Sequence, residues 1–233
     1  MENVAVLVDG AFFIKRALHI FGPLEPDALA DQLHYFAMQH VKAHRSKDPA
    51  NAYPREDNRL YRIFFYDCPP LQNKIYHPFL KMQIDMSKSE RSIWRLSLHE
   101  ALKRKRKVAL RLGRIDDINV TWNISYRQIK KLCAGTISWD SLTEDDFFMD
   151  VKQKGVDMRI GIDITSLALK KQVSQIVLIS GDSDFVPAAK FARREGIDFI
   201  QDPMWAPIKA DLYEHIDGLR STFPKPKYMQ TFD

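Results

Sequence analysis

Cysteine is nearly missing from this 233-residue sequence: Cys68 and Cys133 are the only two, and they form neither a CxxC pair nor a Cys/His ligand pattern. That excludes a disulfide framework and argues against structural zinc, and it suits a reducing compartment where thiols stay free. Long apolar runs are also lacking. The first, Val4 to Val8, is far shorter than a secretory core or the ~20 residues of a membrane span, and Met1-Glu2-Asn3 carries no basic leader. A cytoplasmic protein with no membrane association is expected. Internal repeats and low-complexity segments are absent too. One α/β domain over 1–220, with an insertion at about 71–150 and a C-terminal tail at 221–233, is the expected organisation.

What is present can build a core: 45% of the residues are hydrophobic, and a chain of this size buries roughly 70 to 75% of its unfolded surface. The net charge is +5, which by itself favours an anionic partner only modestly. Its distribution says more. Between Ser87 and Arg114 there are ten Lys or Arg against Glu90 and Glu100 only.

Val4 to Val8 is short, β-branched and apolar throughout, the pattern of a strand buried on both faces of a parallel sheet. Pro26 to His44 reads as a helix from the three- and four-residue spacing of Leu29, Leu33, Phe36, Ala37 and Val41. Leu60 to Tyr66 reads as a second strand, closed by Asp67-Cys68-Pro69-Pro70. The inserted stretch is expected to hold a basic helix, Ile93 to Arg106, and a hairpin of Val108–Leu112 with Val120–Ile124. The α/β rhythm then resumes: helix Val156–Lys171, strand Gln175–Ser180, helix Asp184–Glu195, strand Ile197–Gln201 and a terminal helix Pro207–Leu219. Strands alternating with helices predict a parallel sheet layered between helices, with ligands held just beyond the carboxyl ends of the strands.

Aspartates stand at that edge. Asp9 follows the first strand, Gly181-Asp182-Ser183-Asp184 follows the strand ending at Ser180, and Asp157 and Asp163 lie on the helix leading into it. Carboxylates gathered in a partly dry cleft repel one another, and a divalent cation relieves this. Oxygen-only ligands without His or Cys favour Mg²⁺ or Mn²⁺ over zinc, and phosphodiester hydrolysis is the chemistry such a site suggests. Bland roles remain open for each residue. Asp182, Ser183 or Asp184 could cap the following helix, Asp157 could answer a helix dipole, and Asp163, a third of a turn off the face of Asp157, could lie outside the site.

Val-Leu-Val-Asp9-Gly10, Lys154-Gly155-Val156-Asp157-Met158 followed by Asp163, and Ile-Ser180-Gly181-Asp182-Ser183-Asp184-Phe185-Val186-Pro187 together resemble the signature blocks of the NYN domains, the LabA-like branch of the PIN-like nucleases. About 80 central residues stay outside these blocks. The resemblance implies a three-layer PIN-like α/β sandwich, a Mg²⁺ or Mn²⁺ site and RNA as substrate, cut to leave a 5′-phosphate and a 3′-hydroxyl. It implies Asp9, Asp157, Asp182 and Asp184 as catalytic metal-site acids, Asp163 as a candidate fifth, and Ser180 as a phosphate- or ligand-orienting hydroxyl. Many relatives carry DGxN, where this chain has Phe12 in place of the asparagine.

Lys103, Arg104, Lys105, Arg106, Lys107, Arg111 and Arg114 are candidate phosphate contacts, and Trp94, Trp122 and Tyr126 candidates to stack on bases. A charge run is also commonly a solvated helix end, and an alternating Trp122 can face a core. Three rival readings stand. A catalytically silent RNA-binding module finds support in Phe12. A haloacid-dehalogenase-like phosphatase would want an acid where the chain has Ala11, and a receiver-like domain would want a well-placed Lys after the last strands. The oligomeric state, a homo-oligomer included, is left open.

Overall fold

A computed structural model describes residues 3–42 and 59–226. In chain order the elements begin β1 (Asn3–Asp9), α1 (Gly10–Phe21), α2 (Pro26–Val41), β2 (Arg59–Asp67), β3 (Lys74–His77), β4 (Met82–Asp85), α3 (Glu90–Lys103) and β5 (Val108–Leu112). They continue β6 (Arg114–Ile115), β7 (Thr121–Ile124), α4 (Tyr126–Cys133), β8 (Phe147–Asp150), β9 (Gln153–Lys154) and α5 (Val156–Leu169). The last are β10 (Gln175–Ile179), α6 (Val186–Arg194), β11 (Asp198–Asp202), α7 (Ala210–Tyr213) and β12 (Gly218–Leu219). The chain divides into two compact units. The first comprises 1–67, 97–113 and 155–233, the second 68–96 and 114–154. Among the described residues no helix is long and apolar enough to cross a membrane.

The first unit is the expected α/β sandwich. Its six strands run β12-β11-β10-β1-β2-β5, every neighbouring pair parallel. Val4–Val8 and Ile176–Ile179 are fully buried because they lie at the middle of that sheet, covered on both faces. Right-handed crossovers put α1 and α2 on one face and α5 and α6 on the other. The stripe Val156, Ile160, Ile164 and Leu167 seats α5 on its face. Leu29, Leu33, Ala37 and Val41 do the same for α2, while residues 43 and 44 of the helix expected there lie outside the described range.

Sequence periodicity misplaced three things. Helix α1 follows Asp9 immediately, with Phe13 and Ala17 on its buried face, where no helix was expected between Gly10 and Pro26. Its dense apolar content hid the 3.6-residue period. Val108–Leu112 forms no hairpin with Val120–Ile124. It is the sixth strand of the sheet, parallel to Ile63–Asp67, and Thr121–Ile124 pairs instead with Phe147–Asp150. An edge strand has the same alternation as a hairpin arm, and only the partner distinguishes them. The terminal helix shrinks to Ala210–Tyr213, because the Asp217 carboxylate accepts from Phe199 N at 2.9 Å and the chain joins the sheet at Gly218.

The second unit holds three two-stranded antiparallel pairs, β3-β4, β6-β9 and β7-β8. The Trp122 ring packs 4.0 Å from that of His77. Lys154 and Asp116 form an ion pair at 2.5 Å, and hydrogen bonds from Lys154 and then Asn119 hold the Asp116 carboxyl down at about 2.

In the first unit Phe223, expected in the C-terminal tail, is part of the core. Phe223 is buried against Phe13 and Phe36, and Trp205 Nε1 donates to its carbonyl at 2.7 Å. The expected tail from 227 on lies outside the described residues. Two strands end in buried carboxylates, each tied to a histidine: Asp67 of β2 to His99 at 2.7 Å and Asp202 of β11 to His40 at 2.8 Å.

Gly10 permits the close approach on which the β1 to α1 turn depends. A Cβ there would stand 2.6 Å from the Tyr66 carbonyl oxygen and 2.7 Å from the Phe65 ring. Gly10→Ala is therefore expected to destabilise the protein by about 1 to 3 kcal/mol through overpacking against backbone that cannot yield, measured as a lower denaturation midpoint with an unchanged m-value.

Candidate active site

The register fixes what lies at the carboxyl edge of the sheet. Asp9 pairs with Tyr66, and Tyr66 with Arg111, so these three share one level across β1, β2 and β5. Neighbouring β10 delivers Ser180 and the turn Gly181-Asp182-Ser183-Asp184. Ser180, fully buried, ties the two sides together. Its hydroxyl donates to Asp9 Oδ2 at 3.2 Å and accepts from Asp182 N at 3.2 Å. Gln201 Nε2 donates to the Ser180 carbonyl from β11. Gln201 is fully buried, and although its Oε1 has no partner among the described residues, its Nε2 bond supports the turn from beneath.

Two of these acids cap a helix, a role foreseen for Asp182 and not for Asp9. Asp9 caps α1, its Oδ1 accepting from Phe12 N at 3.1 Å, and Asp182 Oδ1 accepts from Asp184 N at 3.1 Å. Capping does not exhaust them. Burial pushes the Asp9 carboxyl above its ordinary range, with a further push from Asp157, against the opposing bonds from Phe12 N and Ser180. Asp157 is raised likewise, by desolvation first and then by the charges of Asp182 and Asp184. Asp157 is thus the acid that couples to the rest, acting on Asp9 and facing Asp182 and Asp184. Among the described residues, no three His, Cys, Asp or Glu side chains are grouped closely enough to hold a metal ion.

Asp163 stands apart from the other four. Six residues beyond Asp157, it is about 9 Å further along α5 and turned away. It accepts from Tyr66 Oη at 2.8 Å and pairs with Arg111 Nε at 3.2 Å. Burial and the Asp163 charge push the Tyr66 phenol far up, so Tyr66 donates throughout the usual pH range. The Arg111 guanidinium lies 5.2 Å from the Phe64 ring centroid with its side chain 47% exposed, accessible to a ligand at the level of Asp9.

The run Lys103 to Lys107 sits elsewhere. It precedes β5, so Lys107 lies four residues, about 13 Å, before Arg111, toward the amino end of the sheet. Its cations have partners there: Lys103 on Glu100 at 2.6 Å, Arg104 on Asp27 at 2.5 Å, Lys105 on Asp31 and Lys107 on the Leu60 carbonyl. Arg106 is exposed. Arg114 and Trp122 belong to the second unit, where Arg114 is exposed in β6 and Trp122 half-buried in β7. Of the other aromatics, Trp94 is half-buried and Tyr126 exposed, with Lys130 Nζ over its ring at 5.2 Å.

Sequence reading missed Tyr66, Gln201 and Lys209. The first two carry no motif; only register shows them. Lys209 is exposed and its ammonium donates to Ser183 Oγ at 3.0 Å, beside Asp182 and Asp184. A lysine therefore does follow the last long strand and reach the acidic turn, which the sequence alone did not suggest.

The NYN domain family model matches residues 118–201. That span holds Asp157, Asp163, Ser180, Asp182 and Asp184 and runs back into the stretch between the signature blocks, while Asp9 lies before it. No match was found among curated proteins. Among solved structures, the crystal structure of a protein of unknown function from Vibrio parahaemolyticus RIMD 2210633 is similar, with 14% identity, a TM-score of 0.44, and coverage of 94% of this chain and 92% of that one.

A carboxyl that ionises in the unfolded chain near 3.8 but only at higher pH in the fold favours the folded state at low pH and costs stability as pH rises through that interval. Asp9→Asn keeps an acceptor for Phe12 N and removes this cost. In metal-free buffer the variant is expected to melt above the wild type at neutral pH, with the gap closing as the pH approaches 3.8. Thermal denaturation with a chelator across that range measures it.

Proposed function

We propose that this NYN-family chain is a metal-dependent ribonuclease that hydrolyses RNA phosphodiester bonds at the carboxyl edge of its sheet. The observation that carries the reading is a pair of raised carboxyls at one edge: Asp9, raised by burial and then by the charge of Asp157, and Asp157, raised by desolvation and then by the charges of Asp182 and Asp184. Asp67 and Asp202, at the ends of neighbouring strands, have histidine partners, and Asp163 has Arg111. NYN domains are generally nucleases, and their PIN-like relatives usually use divalent metals, which agrees with this reading.

The donor set suits Mg²⁺ or Mn²⁺ in kind, being all oxygen. Mg²⁺ typically takes one or two carboxylates and keeps its waters, so an open edge without a three-acid cage is compatible with it. One or two of Asp9, Asp157, Asp182 and Asp184 would hold the ion directly, with water completing its shell. Bound there, it supplies charge neutralisation at the phosphoryl group and a lowered pKa for water. The chain's own residues do the rest. Ser180 and Phe12 N fix the orientation of Asp9, while Asp157, its carboxyl raised by desolvation and then by the charges of Asp182 and Asp184, would accept a proton from the attacking water. Arg111 and Lys209 lie on either side of the acids to hold the backbone. Water oxygen bonds to phosphorus, the bond to O3′ breaks, and O3′ takes a proton, leaving a 5′-phosphate and a 3′-hydroxyl.

Phe12 supports a second reading, a catalytically silent RNA-binding module, since it replaces an amide with a ring. Labelled single-stranded RNA with Mn²⁺ or Mg²⁺ separates the two. The wild type is expected to cut, and Asp9→Asn and Asp182→Asn to lose more than about 100-fold. Binding without cutting favours the silent module, and turnover of a small phosphate ester alone favours a phosphatase.

Position along the sheet makes a further expectation. Arg111→Ala should raise KM for a short RNA several-fold, whereas Lys103→Ala and Arg106→Ala, at the other end, should leave steady-state kinetics nearly unchanged.

A further inference from the structure

Phe12 occupies a place that packing alone does not explain. The buried face of α1 is filled by Gly10, Phe13 and Ala17, and Phe12 lies off it, half-buried. Its amide donates to Asp9 Oδ1. Its ring lies directly on the backbone of Gly181, where an added Cβ would stand 2.7 Å from the nearest ring carbon. The ring therefore lies on the turn that carries Asp182 and Asp184, while the backbone of the same residue is bonded to Asp9. A phenyl ring can neither ligate a cation nor donate to phosphate. What it can offer a strand whose phosphate lies at these acids is an aromatic surface for the adjoining base, and such stacking tolerates any base. In a duplex both faces of a base are already covered by its neighbours, so only an unpaired base can use it.

We propose that Phe12 is a stacking platform for an unpaired nucleobase next to the acidic edge. The proposal rests on the nuclease reading above and names the residue that would hold a base of its substrate.

The test uses the full chain, wild type and Phe12→Leu, with a single-stranded RNA and a strand of equal length in which the residues are abasic. Phe12→Leu is expected to lower kcat/KM on the RNA about tenfold, mainly through KM, to leave the abasic strand within about twofold, and Phe12→Trp to retain wild-type behaviour. Equal losses on both strands would mean the ring acts by holding Asp9 or Gly181 in place, and would overturn the proposal; so would no loss on either, or a wild-type preference for duplex. Should the wild type cut neither strand, the nuclease reading fails by itself. Stacking is then read from a 2-aminopurine RNA: quenching by wild type and not by Phe12→Leu sustains the platform, and no quenching removes it.

Discussion

One buried hydroxyl joins the halves of the acidic edge. Parallel strands β1 and β10 end side by side, and their last residues leave the ladder in different directions. Ser180 bridges them, donating to the carboxylate that follows β1 and accepting the amide of Asp182 after β10. With Gln201 holding its carbonyl from below, the turn after β10 and the cap of α1 form one unit. Because Ser180 is fully buried, water does not compete for these bonds, and their loss would leave polar groups unsatisfied. The placement of Asp182 and Asp9 relative to one another depends on it.

Acids at strand ends in this protein divide by their partners. Asp67 and Asp202 are buried, and each is held by a histidine at short distance. Asp163 has a phenol and a guanidinium. Asp9 and Asp157 instead meet desolvation and neighbouring negative charge. The first group stabilises the sheet edge as it stands, while the second holds unfavourable electrostatic energy that a ligand cation would release. Position after a strand therefore does not distinguish these carboxylates from one another; their compensation does.

The basic segment divides in a similar way. Lys103, Arg104, Lys105 and Lys107 are turned to partners near the amino end of the sheet: Lys103 pairs within α3, Arg104 and Lys105 reach Asp27 and Asp31 of α2, and Lys107 donates to the Leu60 carbonyl of β2. Arg111, four residues later, emerges at the level of Asp9 because a parallel strand carries the chain from one end of the sheet to the other.

Local pattern determined the sandwich. The uninterrupted apolar runs Val4–Val8 and Ile176–Ile179 can only be strands covered on both faces, and the spacing in α2 and α5 required helices to cover them. Strand ends followed by acids then located an edge, and the blocks around Asp9, Asp157 and Asp182 carried the resemblance to the NYN domains. Partners were beyond local pattern. Whether Val108–Leu112 pairs with β2 or with a hairpin arm, whether Asp67 meets a histidine or a ligand, and which end of the sheet receives Lys103 to Lys107 depend on residues far away in sequence. Tertiary structure decided these, since hydrogen-bond register and charge compensation are properties of pairs brought together by folding and leave no period in the chain that forms them.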